Sequence, residues 1–151
     1  MSPRWPSGVG TTYNARASSV IGISLQVSVK DNTGGHLANG RIAEELAARF
    51  LEGRGLTVLA RNYRCRGGEV DLICHEKQTL VFVEVRLRRN ANYGGAAASI
   101  TNAKQRRIIL AAQHYLAAQA GRESDCRFDC ILLDGLSEAA IEWLCDAFSA
   151  P

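Results

Sequence analysis

The chain has 151 residues, of which 46% are hydrophobic and 22% charged, a composition that suits a single globular domain with its own core. Its five cysteines are an odd number without Cys-x-x-Cys spacing, which argues against a disulfide framework and a structural zinc site. The longest early apolar run, 20–27, is too short to span a bilayer and does not resemble a secretory signal. We therefore predict a cytoplasmic protein with reduced thiols and no membrane partner.

The net charge of +3 conceals an uneven distribution of charge. Residues 40–107 carry 13 Lys and Arg against 7 Asp and Glu, whereas residues 108–151 carry 2 against 7. A basic surface around grouped carboxylates favours a polyanionic partner such as nucleic acid. A solvated charged face explains the same charges equally well.

The first elements are an extension and a helix. Residues 1–38 are rich in Ser, Gly, Thr and Asn, which predicts a disordered or loosely ordered extension before a domain over 39–151. Apolar residues at helical spacing predict a helix over 40–52, with Asn39 as its N-cap and Gly53 after its end.

The remaining elements alternate strand and helix signals. Runs rich in Val, Ile and Phe predict a meander of three strands, and an Ala-rich stretch predicts a long helix. The predicted strands span 56–62, 69–74 and 80–87, the helix 102–120, and two later strands 127–133 and 140–144, before a final helical turn. The main elements therefore follow the order α-β-β-β-α-β.

Carboxylates gather on the second and third predicted strands. If these strands turn over 75–78, Asp71 pairs with Phe82 and Glu69 pairs with Glu84. Asp71 and Glu84 are then diagonal neighbours on one face, roughly 7–8 Å apart at Cα. Two carboxylates at this separation can both reach one ion.

Oxygen ligands of this kind suit Mg²⁺, with the backbone carbonyl of Val85 as a further ligand. Surface salt bridges with the many arginines are the alternative explanation.

The first predicted helix supplies a third acid. Ion pairing with Arg41 and Arg49 accounts for Glu45, so Glu44, next to the buried stripe, is the better candidate.

Several short motifs occur in a fixed order between residues 40 and 148. They include Gly40-Arg41-Ile42-Ala43-Glu44-Glu45-Leu46-Ala47, Arg61-Asn62-Tyr63-Arg64, Gly68-Glu69-Val70-Asp71-Leu72-Ile73, Val81-Phe82-Val83-Glu84-Val85-Arg86, Lys104-Gln105 and Arg127-Phe128-Asp129. Together they resemble the YraN-like family of bacterial proteins. That family is similar to restriction-endonuclease-like proteins of the PD-(D/E)xK superfamily, and particularly to archaeal Holliday junction resolvases.

The resemblance implies an α/β nuclease core whose mixed central sheet is flanked by helices. It also implies that Glu44, Asp71 and Glu84 are the catalytic acids, and that Mg²⁺ or Mn²⁺ is bound by these carboxylates and the Val85 carbonyl, with Glu44 acting through water. Arg86 stands where the superfamily pattern has lysine. Arginine cannot lose its proton to act as a base, although its fixed charge can stabilise a transition state.

Lys104 and Gln105, at the start of the long helix, are candidates to supply the missing group. The alternative is that Lys104 joins its basic neighbours in a solvated cluster. Further residues flank the acidic strands and suit contacts with phosphates. These candidate nucleic-acid-binding residues are Arg64, Arg66, Arg88, Arg89, Tyr93, Arg106 and Arg107. For Asp129 we expect a structural salt bridge.

Three functions are compatible with these features. The leading hypothesis is a nuclease-fold protein that binds structured or branched DNA and hydrolyses phosphodiesters with Mg²⁺ or Mn²⁺. The alternatives are a catalytically silent nucleic-acid-binding module, which Arg86 favours, and a protein-interaction module that keeps only the fold. Junction cleavage needs two cuts related by symmetry and would therefore imply a homodimer.

Overall fold

The computed structural model of the chain describes residues 34–88, 100–119 and 124–151. Two helices and five strands make up this part of the chain. They are α1 (Gly34–Glu52), β1 (Thr57–Cys65), β2 (Gly68–Glu76), β3 (Thr79–Leu87), α2 (Asn102–Ala118), β4 (Asp125–Leu133) and β5 (Ile141–Phe148). A single turn of 3₁₀ helix, Glu138–Ala140, precedes β5.

The five strands form one mixed sheet in the order β1-β2-β3-β4-β5. Neighbouring strands are antiparallel except β3 and β4, which are parallel. Parallel neighbours need a crossover connection, and here that connection contains α2. The predicted α/β core of order α-β-β-β-α-β, with a mixed sheet flanked by helices, is confirmed.

Each helix covers one face of the sheet. Ala43, Ala47 and Leu51 of α1 pack against Leu72, Val81 and Val83. On the opposite face, Ile108 and Ala112 of α2 pack against Phe82 and Phe128. Because apolar side chains cover both faces, the two fully or nearly buried charged residues of the described chain, Glu84 and Asp129, stand out.

Helix α1 begins earlier than predicted. It starts at Gly34, so Asn39, the predicted N-cap, lies inside the helix, as does the predicted boundary at residue 38. Leu37 and Ala38 are good helix formers, and a single glycine such as Gly40 costs only about 1 kcal/mol in a helix. Residues 1–33 lie outside the described chain, so the predicted extension remains a prediction.

The C-terminal end of the chain also differs from the prediction. The strand predicted over 140–144 begins at Ile141 and continues to Phe148, and no helical turn follows it in residues 124–151. Phe148 is buried, and its ring stacks on Phe128 with 4.8 Å between centroids. This aromatic contact favours a continued strand.

The predicted pairing of β2 with β3 is wrong by two residues. Leu72 pairs with Val83 and Ile73 with Phe82, because the strands are joined by a two-residue turn in which Lys77 has a positive φ of 55°. Side chains alternate between faces with a period of two. A shift of two residues therefore leaves the acidic side chains on the face where they were predicted.

Gly68 allows β2 and α2 to approach closely. A Cβ atom at Gly68 would lie 2.7 Å from the backbone N of Ala111 and 2.7 Å from the backbone O of Arg107. Both contacts are with backbone atoms, which cannot move without displacing the helix. The start of β2 therefore fixes the position of α2.

Gly68→Ala is expected to lower the free energy of unfolding by about 1–3 kcal/mol, the usual cost of overpacking. Gly40→Ala is the matched control, since nothing lies within 4 Å of a Cβ there and alanine in a helix interior stabilises by about 0.5–1 kcal/mol. Urea denaturation of both variants measures the difference. Equal stabilities would contradict the close approach of β2 and α2.

Candidate functional site

Asp71 lies where the β2–β3 ladder ends. The last paired residues are Leu72 and Val83, so the same register places Asp71 opposite Glu84. The carboxylate of Asp71 accepts a hydrogen bond from the backbone N–H of Val85 over 2.8 Å between Val85 N and Asp71 Oδ2. The Asp71 carboxylate thus accepts a backbone hydrogen bond from β3 just beyond the last residue pair. This hydrogen bond holds the carboxylate beside Glu84.

Glu84 is a buried carboxyl beside a second carboxyl. Its residue is 5% exposed, and its Oε2 atom accepts no hydrogen bond from the described residues. Burial, followed by the negative charge of Asp71, raises the pKa of Glu84 to about 8. Two acids pushed together in this way favour a bound cation or a shared proton.

Lys104 supplies a positive charge beside these acids. Its Nζ lies 3.3 Å from Glu84 Oε2 and 3.0 Å from Glu69 Oε1. Burial alone would lower the pKa of Lys104, but the carboxylates of Glu84 and Glu69 outweigh burial and raise it, so the ammonium stays charged. Lys104 therefore contacts two carboxylates of the acidic strands, and its part in catalysis remains a prediction.

The start of α2 sets the position of Lys104. Thr101 is the N-cap, and its side chain accepts a hydrogen bond from the backbone N of Lys104 over 3.2 Å. An N-cap of this kind fixes where a helix begins. Gln105 does not reach the acids, because its Nε2 donates to the carbonyl of Ile100 over 3.1 Å.

The raised pKa of Glu84 predicts how stability depends on pH. Between the ordinary value of 4.5 and about 8, the folded protein holds a proton that the unfolded chain has lost. The free energy of unfolding should therefore fall as pH rises through this window, by at most about 1.4 kcal/mol per pH unit from this group. Urea denaturation between pH 5 and 8.5 measures it.

Glu84→Gln is the control for that prediction, because glutamine has no proton to lose. Its free energy of unfolding should depend much less on pH over the same window. An unchanged pH dependence in Glu84→Gln would assign the effect to another group.

Glu44 lies beside Asn62, which the β1–β2 register places next to Asp71. It lies on α1, which packs on the opposite face of the sheet from α2, and its carboxylate accepts a hydrogen bond from Asn62 over 2.8 Å. Glu45 is ion-paired with Arg49, as predicted, and with Arg61 rather than Arg41. The catalytic assignment of Glu44 remains a prediction.

Four of the predicted phosphate-binding arginines lie near the β1–β2 turn or on α2. Gly67 and Gly68, at the β1–β2 turn, lie against Leu110 and Arg107 of α2, so the turn and the start of the helix are neighbours. Arg64 and Arg66 lie at or next to this turn, Arg106 and Arg107 lie on α2, and all four are exposed. Of these, only Arg107 is within ion-pair distance of a described carboxylate, 3.4 Å from Glu69.

Other predicted residues lie elsewhere. Arg88 is ion-paired with Asp134, at 2.7 Å, and with Glu142, at 3.3 Å, so carboxylates already neutralise it. Arg86 is half-buried near the end of β3. Arg89 and Tyr93 lie outside the described residues.

The acid pair offers oxygen donors of the kind that a divalent cation needs. No group of three or more His, Cys, Asp or Glu side chains that could hold a metal occurs within residues 34–88, 100–119 and 124–151. Asp71 and Glu84 instead offer two carboxylates, one with a buried oxygen that accepts no hydrogen bond from described residues. Mg²⁺ is commonly bound by one or two carboxylates together with substrate phosphates and water, and the pair fits that mode.

Sequence reasoning placed Glu69 on the acidic face but gave it no role. Its carboxylate contacts both Lys104 and Arg107. The available signal was the spacing of the two cations, three residues apart on a helix, which places them on one face.

Cys74, on the same strand, is a buried cysteine. Burial raises the pKa of its thiol to about 12, which keeps the thiol protonated and unsuited to act as a nucleophile.

The mixed sheet between two helices and the acid pair at the end of a strand ladder define an α/β protein with a restriction-endonuclease-like core. The family model of the uncharacterised protein family UPF0102 matches residues 43–133. The chain belongs to this family, which is the YraN-like family that its motifs resemble.

Several bacterial relatives share most of the chain. A UPF0102 protein of Dechloromonas aromatica is 55% identical over 126 residues, covering 83% of this chain and 98% of the relative. A UPF0102 protein of Nitrosomonas europaea is 55% identical over 109 residues, covering 72% of this chain and 92% of the relative.

Neither helix of the described residues is long and apolar enough to cross a membrane.

Proposed function

We propose that this protein is a metal-dependent nuclease that binds structured or branched DNA and hydrolyses phosphodiester bonds with Mg²⁺ or Mn²⁺. The observation that carries the proposal is Glu84. Its buried oxygen lies beside Asp71 and 3.3 Å from the Lys104 ammonium. A buried carboxyl of raised pKa, beside a second carboxyl and an ammonium, is typical of functional sites.

Each residue has a distinct part in this reaction. Asp71 and Glu84 would hold the cation, and the Val85 N–H orients the Asp71 carboxylate. A bound divalent cation lowers the pKa of water and neutralises charge on the leaving oxygen. Lys104 offers a fixed positive charge to a phosphate entering the site. Because neighbouring carboxylates raise the pKa of Lys104, this charge, rather than proton transfer, is its contribution.

The exposed arginines account for DNA binding beside the acids. Arg64 and Arg66 lie at or next to the turn of Gly67 and Gly68, and Arg106 lies on α2, the helix that packs against this turn. Contacts from such side chains to phosphates position DNA without reading its sequence. They also make affinity fall with salt, since each neutralised phosphate releases counterions.

The test is cleavage of linear duplex, single-stranded and four-way-junction DNA by the purified full-length protein with Mn²⁺, with EDTA as control. The expected result is cleavage that requires the metal, together with salt-sensitive binding. Binding by the same surface without cleavage would support the silent binding module, which Arg86 favours. Absence of both cleavage and binding would overturn the proposal.

A further inference from the structure

Glu69 is a charged residue close to the acid pair that has no part in the proposed reaction. Its Oε1 lies 3.0 Å from Lys104 Nζ, and its Oε2 lies 3.4 Å from the nearest guanidinium nitrogen of Arg107. The side chain is 28% exposed, so part of its surface is shielded from water. Each carboxylate oxygen therefore faces one cation of α2.

The contact of Glu69 with Lys104 is the shorter of the two that Lys104 makes to carboxylates. The distance to Glu69 is 3.0 Å with hydrogen-bond geometry, whereas the distance to Glu84 is 3.3 Å without it. A lysine side chain has a flexible four-carbon stem and loses much rotamer freedom when its ammonium is held in one place. Glu69 thus supplies the directional contact that fixes the ammonium near Glu84.

The backbone supports the same arrangement. Gly68, the neighbour of Glu69, lies so close to α2 that a Cβ atom would collide with the helix backbone. Lys104 and Arg107 are three residues apart and therefore lie on one helix face. The first residues of β2 thus meet α2 through a close backbone approach, at Arg107 and Ala111, and through two ion pairs.

We propose that Glu69 is a positioning residue, which holds the Lys104 ammonium against the Asp71–Glu84 pair while Arg107 anchors the other side of its carboxylate. The catalytic consequence rests on the proposed nuclease function. The structural consequence, a fixed Lys104 ammonium, does not depend on it. The two are therefore measured separately.

The first measurement is hydrogen exchange of the Lys104 ammonium by ¹H–¹⁵N NMR in the full-length chain. Glu69→Gln removes the charge and Glu69→Ala also removes the acceptor. Exchange should become at least about tenfold faster in Glu69→Ala, the factor expected from one lost charge-assisted hydrogen bond, and less so in Glu69→Gln. Unchanged exchange in both variants, with the fold intact, would overturn the positioning role.

Glu45 provides the matched control, because it also bridges two cations, Arg49 and Arg61, away from the acid pair. Glu45→Gln and Glu45→Ala should leave the exchange of the Lys104 ammonium unchanged. Faster exchange in the Glu45 variants as well would show a general loss of structure and would count against a specific role for Glu69.

The second measurement is metal-dependent cleavage. Glu69→Ala should lower kcat about tenfold with little change in KM, since the lost contact acts through Lys104 on the transition state. An unchanged kcat in a cleaving wild type would overturn the catalytic consequence. If the wild type does not cleave, the proposed function fails, and the exchange measurement still decides whether Glu69 positions Lys104.

Discussion

Asp71→Asn is expected to lower metal-dependent DNA cleavage by about 10²–10⁴-fold, the range that positioned catalytic groups contribute. Asparagine keeps an oxygen that can accept the hydrogen bond from the N–H of Val85, so the end of the β2–β3 ladder should remain intact. What disappears is the negative charge beside Glu84. Single-turnover cleavage with Mn²⁺ measures the loss.

Asp125→Asn is the control for this substitution. Asp125 is an exposed aspartate that pairs with Thr79, at the opposite end of β3 from Glu84. Its variant should cleave at the rate of the wild type. Retained cleavage by Asp71→Asn, in a preparation free of other nucleases, would remove Asp71 from the mechanism.

Asp129→Ala is expected to cause the largest loss of stability, about 3–5 kcal/mol, as is usual when a buried charge pair loses one partner. Asp129 has no exposed surface. Its carboxylate accepts hydrogen bonds from Arg127, from Trp143 Nε1 over 3.0 Å and from the backbone N of Asp146 over 2.9 Å. The expected loss is a large part of an ordinary domain stability of about 5–15 kcal/mol.

Urea denaturation of Asp129→Ala beside Asp134→Ala separates burial from ion pairing. Asp134 is also paired with an arginine, Arg88, but 41% of its side chain is exposed. Exposed pairs contribute about 0–1 kcal/mol, so Asp134→Ala should change stability little. Equal effects of the two substitutions would mean that the buried network does not stabilise the sheet.

Local sequence patterns were sufficient for most of the fold. An Ala-rich stretch located α2, runs rich in Val, Ile and Phe located β2 and β3, and alternation of side chains grouped Asp71 with Glu84. The register error of two residues did not affect that grouping, because the face of a side chain repeats every two positions. The salt bridge predicted for Asp129 is present, with Arg127 as its partner.

Contacts between residues far apart in the sequence could not be predicted from local sequence patterns. Glu69 and Lys104 are 35 residues apart, and their contact depends on the close approach at Gly68. The extent of β5 depends on Phe148 stacking on Phe128. Trp143 and Asp146 reach Asp129 only after β4 and β5 pair. Such contacts follow from tertiary packing, which no local pattern encodes.

The order in which the site assembles follows from where its parts lie in the chain. Asp71 and Glu84 belong to a single hairpin, and hairpins close within about 1–10 μs because their contacts are local. Lys104 arrives only with the crossover that joins β3 to β4, a slower, non-local step. Until α2 docks, the nascent hairpin presents its acids without their lysine. The docking of α2 is therefore the folding event that completes the site.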